Sequence, residues 1–363
     1  MRGMPTVPLA ALALVALSCI GSVSSRMDAG TVADAPGGEH DTGAFPSDAS
    51  GGTDATAGDD GAGPRGEDAG PDPLLPLRIA VISDLNGSYG STTYASTVHA
   101  AVDRVLALDP DVVLSTGDMV AGQRAGLDYR AMWSGFHAAV SDRLAGAGIP
   151  FAVTPGNHDA SGYATHAVER AIFISEWETT RKPDLEYLDD SSFPLRYSFT
   201  LGPVLFVSLD ATTIGPLGGE QMAWVEDQLV AGADRPVKIL YGHVPLYAFA
   251  QGRETEVIGD AELERIANEY GVTVLISGHH HAYYPGRRGD LRLVGTACVG
   301  SGPRALIGSS ETSERSILLL EVDGGEIRLV EGYGGAAYDT IVPRASLPEQ
   351  VGVSGARIRR DDL

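Results

Sequence analysis

Among its 363 residues the chain has only two cysteines, Cys19 and Cys298. That excludes a disulfide framework and a metal cage built from thiolates. Basic residues are scarce as well: 26 Lys and Arg stand against 48 Asp and Glu, for a formal net charge of −22. A surface this acidic repels phosphate backbones and has few counterions to release, so unaided nucleic-acid binding is not expected. Beyond the N-terminus no hydrophobic run is long enough to span a bilayer. What remains is globular composition, 43% hydrophobic and 20% charged, in a length that allows one large or two ordinary domains.

Residues 1–25 combine one early cation, Arg2, an apolar run from Val7 to Leu17, and then small residues. This reads as a secretory signal peptide, too short for a stable span, and predicts export to the periplasm or exterior. The stretch Ala16-Leu17-Ser18-Cys19 resembles a bacterial lipoprotein signal, with Cys19 lipidated and the chain anchored to a membrane. Ordinary cleavage after Ser25 is the alternative. Residues 26–73 hold eleven acidic residues against two arginines and no Leu or Ile. Such a segment cannot bury enough apolar surface to offset its ordering entropy, so a disordered acidic linker is expected.

From Leu77 onward, short apolar β-branched runs alternate with helical patterns over about 94–108 and 127–147, which predicts an α/β domain. Five of these runs hand polar side chains to their carboxyl ends. They carry Asp84 and Asn86, then Asp118, then Asn157-His158-Asp159, then His243, and last His279-His280-His281. Ligand sites of open α/β sheets lie beyond those strand ends. The set offers carboxylate and amide oxygen and imidazole nitrogen but no sulfur, which suits Mn, Fe, Zn or similar ions. There are too many donors for one ion, and about enough for two that share a bridging carboxylate.

The ordered elements Asp84-x-Asn86, Gly117-Asp118, Gly156-Asn157-His158-Asp159, Gly242-His243 and Gly278-His279-x-His281 resemble the calcineurin-like metallophosphoesterases, a group that includes the purple acid phosphatases. The resemblance covers about Leu77 to Glu331. It implies two facing mixed β-sheets flanked by helices, a four-layer α/β sandwich, in a domain of residues 74–342 with a polar, frayed tail over 343–363. The stretch from Leu195 to Asp210 reads as a hairpin feeding the second sheet. The resemblance also implies two metal ions and a phosphate-ester substrate. Asp118 would bridge the ions, with Asp84, Asn86 and His281 completing one site and Asn157, His243 and His279 the other. A metal-bridging hydroxide would attack phosphorus while His158 protonates the leaving alkoxide. Asp159 would support this catalysis by holding His158 or a loop in place.

Two positions depart from the family pattern. Asn86 stands where the first motif usually ends in histidine, and Ala121 stands where purple acid phosphatases place a tyrosine ligand. A looser first metal and no purple charge-transfer colour are therefore expected. His280, Tyr283, Arg287 and Arg304 are candidates for substrate contact, with a surface hairpin as the competing reading of residues 283–288. Loops over 87–93, 161–165, 212–219 and 248–258 would shape specificity. A nuclease on the same scaffold and a non-catalytic envelope lipoprotein are the competing functions. The acidity counts against the first and His158 against the second.

Overall fold

The computed structural model describes residues 76–179 and 181–363. The expected signal peptide, the Cys19 site and the linker over 26–73 lie outside the described residues. The chain begins with β1 (Leu77–Ile82), α1 (Ser96–Leu108), β2 (Val112–Ser115) and α2 (Tyr129–Phe136), which continues through a π-helical turn (His137–Ser141) into α3 (Asp142–Gly146). Next come β3 (Phe151–Ala152), α4 (Asn157–Ala160), α5 (Ala167–Glu178), β4 (Glu186–Ser192), β5 (Arg196–Leu201) and β6 (Val204–Ser208). Then follow α6 (Gly219–Ala231), β7 (Val237–Gly242), α7 (Ala261–Glu269), β8 (Val274–Ser277), β9 (Tyr284–Arg288) and β10 (Leu291–Gly295). The last strands are β11 (Ile317–Asp323), β12 (Glu326–Gly334), β13 (Thr340–Ile341), β14 (Gln350–Val351) and β15 (Ile358–Arg360).

The strands form two mixed sheets flanked by helices, as the resemblance implied. One has six strands in the order β13-β12-β11-β1-β2-β3, and the other nine in the order β14-β15-β9-β10-β8-β7-β6-β5-β4. Within them β1, β2 and β3 run parallel, and so do β6, β7, β8 and β10. The expected hairpin is the antiparallel pair β5 and β6 in the second sheet.

Period-two alternation explains why the central strands read as unbroken apolar runs. On β6, Val204 and Phe206 join the core between the sheets, while Leu205 and Val207 join a second core on the far face. On β7 and β8, Ile239, Tyr241, Val274 and Ile276 face the first core, and Leu240 and Leu275 the second. Helix α1 turns Val98, Ala101, Val102 and Val105 inward at three- and four-residue spacing. It stops at Asp109, left-handed with φ 48°, just before Pro110.

The expectation of a frayed tail over 343–363 is corrected. Residues in β14 and β15 extend the nine-stranded sheet, with Arg359 in register with Arg287. Val351 and Ile358 are buried in the second core, and Arg344 is ion-paired to Glu331 and Asp361. A polar composition hid two apolar anchors seven residues apart.

Candidate metal centre

Parallel strands from both sheets end on one rim, and that rim gathers the motifs. Asp84 and Asn86 follow β1, Asp118 follows β2, Asn157 and His158 follow β3, His243 follows β7, and His279 and His281 follow β8. To turn side chains back over the strand ends, the backbone takes left-handed conformations at four non-glycine residues. These are Asp84 (φ 50°), Asp118 (φ 55°), His279 (φ 63°) and His281 (φ 53°). Each such conformation costs about 1 kcal/mol or more, and clusters of them mark functional sites. The glycines of the motifs let these turns close on one another. A Cβ on Gly156 would fall 2.1 Å from the Asp118 amide nitrogen, and one on Gly278 would fall 2.3 Å from Ser83 Oγ.

The imidazoles are aimed by the nitrogen that faces away from the centre. His243 Nδ1 donates to the Thr116 carbonyl (2.8 Å), His281 Nδ1 to the Gly302 carbonyl (2.8 Å), and His279 Nε2 to the Glu256 carboxylate (3.0 Å). The other nitrogen of each ring then turns a lone pair inward. His281 Nε2 lies 3.1 Å from Asp84 Oδ1, an oxygen that is buried without a hydrogen bond. His243 Nε2 lies 2.9 Å from Asn157 Oδ1, 3.2 Å from His279 Nδ1 and 3.4 Å from Asp118 Oδ1. Gln123 accepts from Asn157 Nδ2 (2.9 Å), which keeps the Asn157 oxygen on the inside. Lone pairs so crowded repel unless a cation sits among them, so the donor set fits metal. Asp84, Asp118 and His243 alone offer three ligand atoms within 4.8 Å of one another.

The charges respond to this crowding. Burial would raise the Asp84 carboxyl, but His281 and then His243 hold it well below the usual carboxylate range. Burial lowers His279 against the hydrogen bond it donates to Glu256. Glu256 itself is pulled down to about 2, first by His279.

Asn86 is brought to the centre, with its amide nitrogen 3.5 Å from Asp118 Oδ2 and its oxygen accepting from the Ser301 hydroxyl. Because that hydroxyl can donate to the oxygen or accept from the nitrogen, either amide atom can face the cluster. His158 leans over the group. Its Nδ1 donates to the Gly122 carbonyl (3.0 Å), and its Nε2 lies 4.0 Å from Asp118 Oδ2.

Asp159 was expected to hold His158 or a loop in place. It lies fully buried and holds backbone, with Oδ1 accepting from the amides of Met119 and Val120 and Oδ2 from Gly156. Burial, then the charge of Asp118, raises its pKa. It clamps the loop after β2 to the loop after β3.

The centre floors a cavity of about 770 Å³ whose walls come from the expected loops, through Tyr89, Tyr163, Thr212, Ile214 and Arg253. Of the substrate-contact candidates, Arg304 lines it. The other three do not. His280 is buried, accepting from the Phe249 amide (3.4 Å) and donating to the Glu256 carbonyl (3.0 Å). The buried Tyr283 turns its hydroxyl to the Val330 carbonyl (3.5 Å). Arg287 lies on β9 in a separate groove beside Arg357 and Arg359. His280 lies between two inward-facing histidines and points away from them, whereas Tyr283 and Arg287 are carried off by the chain leading into β9. Glu256, Arg253, Gln123 and Ser301 were missed. Ser301 had a signal, since its loop follows the parallel strand β10 and its amide donates to the Asp84 carbonyl (3.1 Å). Glu256 had none, because its loop only meets His279 in three dimensions.

Purple acid phosphatase 15 of Arabidopsis thaliana is 28% identical over 226 residues, covering 57% of this chain and 40% of that protein. Probable purple acid phosphatase 20 of the same plant is 26% identical over 219 residues, covering 59% and 47%. The chain thus spans less than half the length of these relatives. Among solved structures, a purple acid phosphatase from yellow lupin seeds is similar with a TM-score of 0.57 at 17% identity, over 74% of this chain and 52% of that one. A dimetal phosphatase from Danio rerio gives 0.52 at 13% identity, over 74% and 98%. Those likenesses show a shared fold. Residues 77–283 match the family described as calcineurin-like phosphoesterase, a stretch that holds every motif from Asp84 to His281. By that match, the chain belongs to the calcineurin-like phosphoesterase family.

Proposed function

We propose that the protein hydrolyses phosphate esters outside the cytoplasm, at a centre of two metal ions. The observation that carries this is the convergence of the inward nitrogens of His281 and His243 on the carboxylates of Asp84 and Asp118, with His279 Nδ1 beside that of His243. Asp118 would bridge the ions, because Oδ1 faces His243 while Oδ2 faces Asn86 and His158. Asp84, Asn86 and His281 serve one ion, and Asn157, His243 and His279 the other. Bound there, the ions supply Lewis acidity that polarises water and phosphoryl oxygen. His158 is the proton donor to the leaving oxygen. Its ring is fixed through Nδ1, and it is partly open to solvent, so Nε2 can regain its proton between turnovers.

The test is the full chain loaded with metal and assayed on p-nitrophenyl phosphate and its bis-ester. Turnover that is lost to a chelator and restored by added metal is expected. A chain with both ions bound and no turnover on either ester overturns the reading. We also propose export, with lipidation at Cys19 or cleavage after Ser25 told apart by the mass of the N-terminal peptide.

A further inference from the structure

Two kinds of chemistry line the cavity above the metal centre. Beside His279 and His281 stand two half-buried guanidiniums. Arg304 is pinned by its backbone, its amide donating to the His281 carbonyl (3.1 Å) and its carbonyl accepting from Ser313 (2.8 Å). Arg253 is ion-paired to Glu256, the carboxylate that also holds His279. The Nε atoms of both arginines are buried without a hydrogen-bond partner. Burial, then the charge of Arg253, lowers the Arg304 pKa. Glu256 pairs with Arg253 and no ion pair holds Arg304 among the described residues, so two guanidiniums stand against one carboxylate and this wall is left with net positive charge, which suits an oxyanion.

Beside His158 the wall changes character. The Tyr89 ring lies 5.5 Å from the His158 ring and carries the Arg124 guanidinium 5.9 Å from its centroid. Tyr89 is 54% exposed, and Tyr163 and Ile214 are each 48% exposed. Of the nine large hydrophobic residues left exposed among the described residues, these three line this one cavity. Exposed apolar groups gathered at one mouth mark a place where something apolar rests. The cavity also has the volume of a site for a whole small molecule, far more than a phosphoryl group needs.

We infer that the cavity selects phosphate esters whose alcohol half ends in a flat, apolar ring. The ring rests among Tyr89, Tyr163 and Ile214, and the phosphoryl oxygens face Arg253 and Arg304. This rests on the phosphoesterase reading of the same centre, because a leaving oxygen within reach of His158 places the alcohol half on the side of Tyr89. The tyrosines are specificity determinants here. Stacking supplies selectivity, and the arginines supply attraction common to every phosphate ester.

The test compares 2-phenylethyl phosphate with butyl phosphate, whose alcohols are of similar acidity, so that the ratio of kcat/KM reads the ring and not the leaving group. The wild-type chain is expected to favour the phenyl ester by about tenfold, and Tyr89→Ala to cut that preference by about three- to tenfold. Tyr89→Phe should keep it, and Arg304→Leu should weaken both esters while leaving the ratio in place. Equal rates on the two esters in the wild-type chain, or an unchanged ratio in Tyr89→Ala, overturn the inference. Calorimetric binding of 2-phenylethylphosphonate against butylphosphonate to the metal-loaded chain gives the same comparison without turnover. If neither ester is hydrolysed while the phenyl phosphonate still binds more tightly through Tyr89, the phosphoesterase reading fails and the selectivity stands. If both phosphonates bind alike, the selectivity fails.

Discussion

His243 and His137 are hidden to the same degree, 0% and 3% exposed, and they sit in different worlds. His137 is enclosed by Trp133, Phe136 and Trp177 at ring distances of 5.8, 5.8 and 5.4 Å. Its Nδ1 meets Ser141 Oγ (2.7 Å), and its Nε2, which makes no hydrogen bond, faces a single carboxylate oxygen, Glu176 Oε2, at 3.4 Å. Burial, then the charge of Arg181, pulls its pKa down to about 4. His243 spends its outer nitrogen on the Thr116 carbonyl and turns the inner one toward Asn157, His279 and Asp118. Burial therefore does not make a histidine a ligand. What matters is a fixed outer nitrogen together with several donors, from different segments, converging on the inner one.

The strongest way to break this contrast is to remove the enclosed charge. Asp118→Asn should release both ions together and lower turnover by about a thousandfold or more, as for residues acting as one catalytic unit. Elemental analysis of the purified chain checks it, and loss of a single ion contradicts the bridging role. His158→Ala should lower turnover by about a hundredfold with both ions retained. Metal loss in that variant would make His158 a ligand. Glu256→Ala should weaken metal binding about tenfold or more, because His279 then loses the partner that holds its outer nitrogen. A metal titration of that variant that matches the wild-type chain removes Glu256 from the centre.

The smallest effect belongs to His137. It is neutral when folded, with a pKa of about 4 against 6.5 in the free side chain, so acid favours the unfolded chain. Its contribution is fully present above pH 6.5 and is lost as pH falls toward 4, by up to about 3 kcal/mol. Unfolding measured across that window should show a shallower slope in His137→Phe than in the wild-type chain. Identical slopes would put the acid sensitivity elsewhere.

Much of the centre was legible because strand ends and ligand types are both local. Asp84, Asp118, Asn157, His243, His279 and His281 each follow an apolar run, and each belongs to a motif of a few residues. Illegible parts depend on contacts between distant segments. Glu256 meets His279 across 23 residues, and Ser301 meets Asn86 across 215. Asp159 sits beside His158 in the chain, yet the short helix α4 turns it inward to backbone amides, which no spacing reveals. The strands β14 and β15 escaped notice because one buried apolar residue in each, Val351 and Ile358, is too sparse a pattern to announce a strand.

The amino-acid order alone determined the fold class, the placement of oxygen and imidazole donors at strand ends, and the acidity that disfavours nucleic acid. These follow from periodicity, side-chain type and net charge, which need no neighbours. Only the tertiary structure decided which nitrogen of each histidine faces inward, that Arg304 and not Arg287 lines the cavity, and that Tyr89, Tyr163 and Ile214 share its mouth. Orientation and company are set where two sheets and their loops converge, and a linear string carries no record of that meeting.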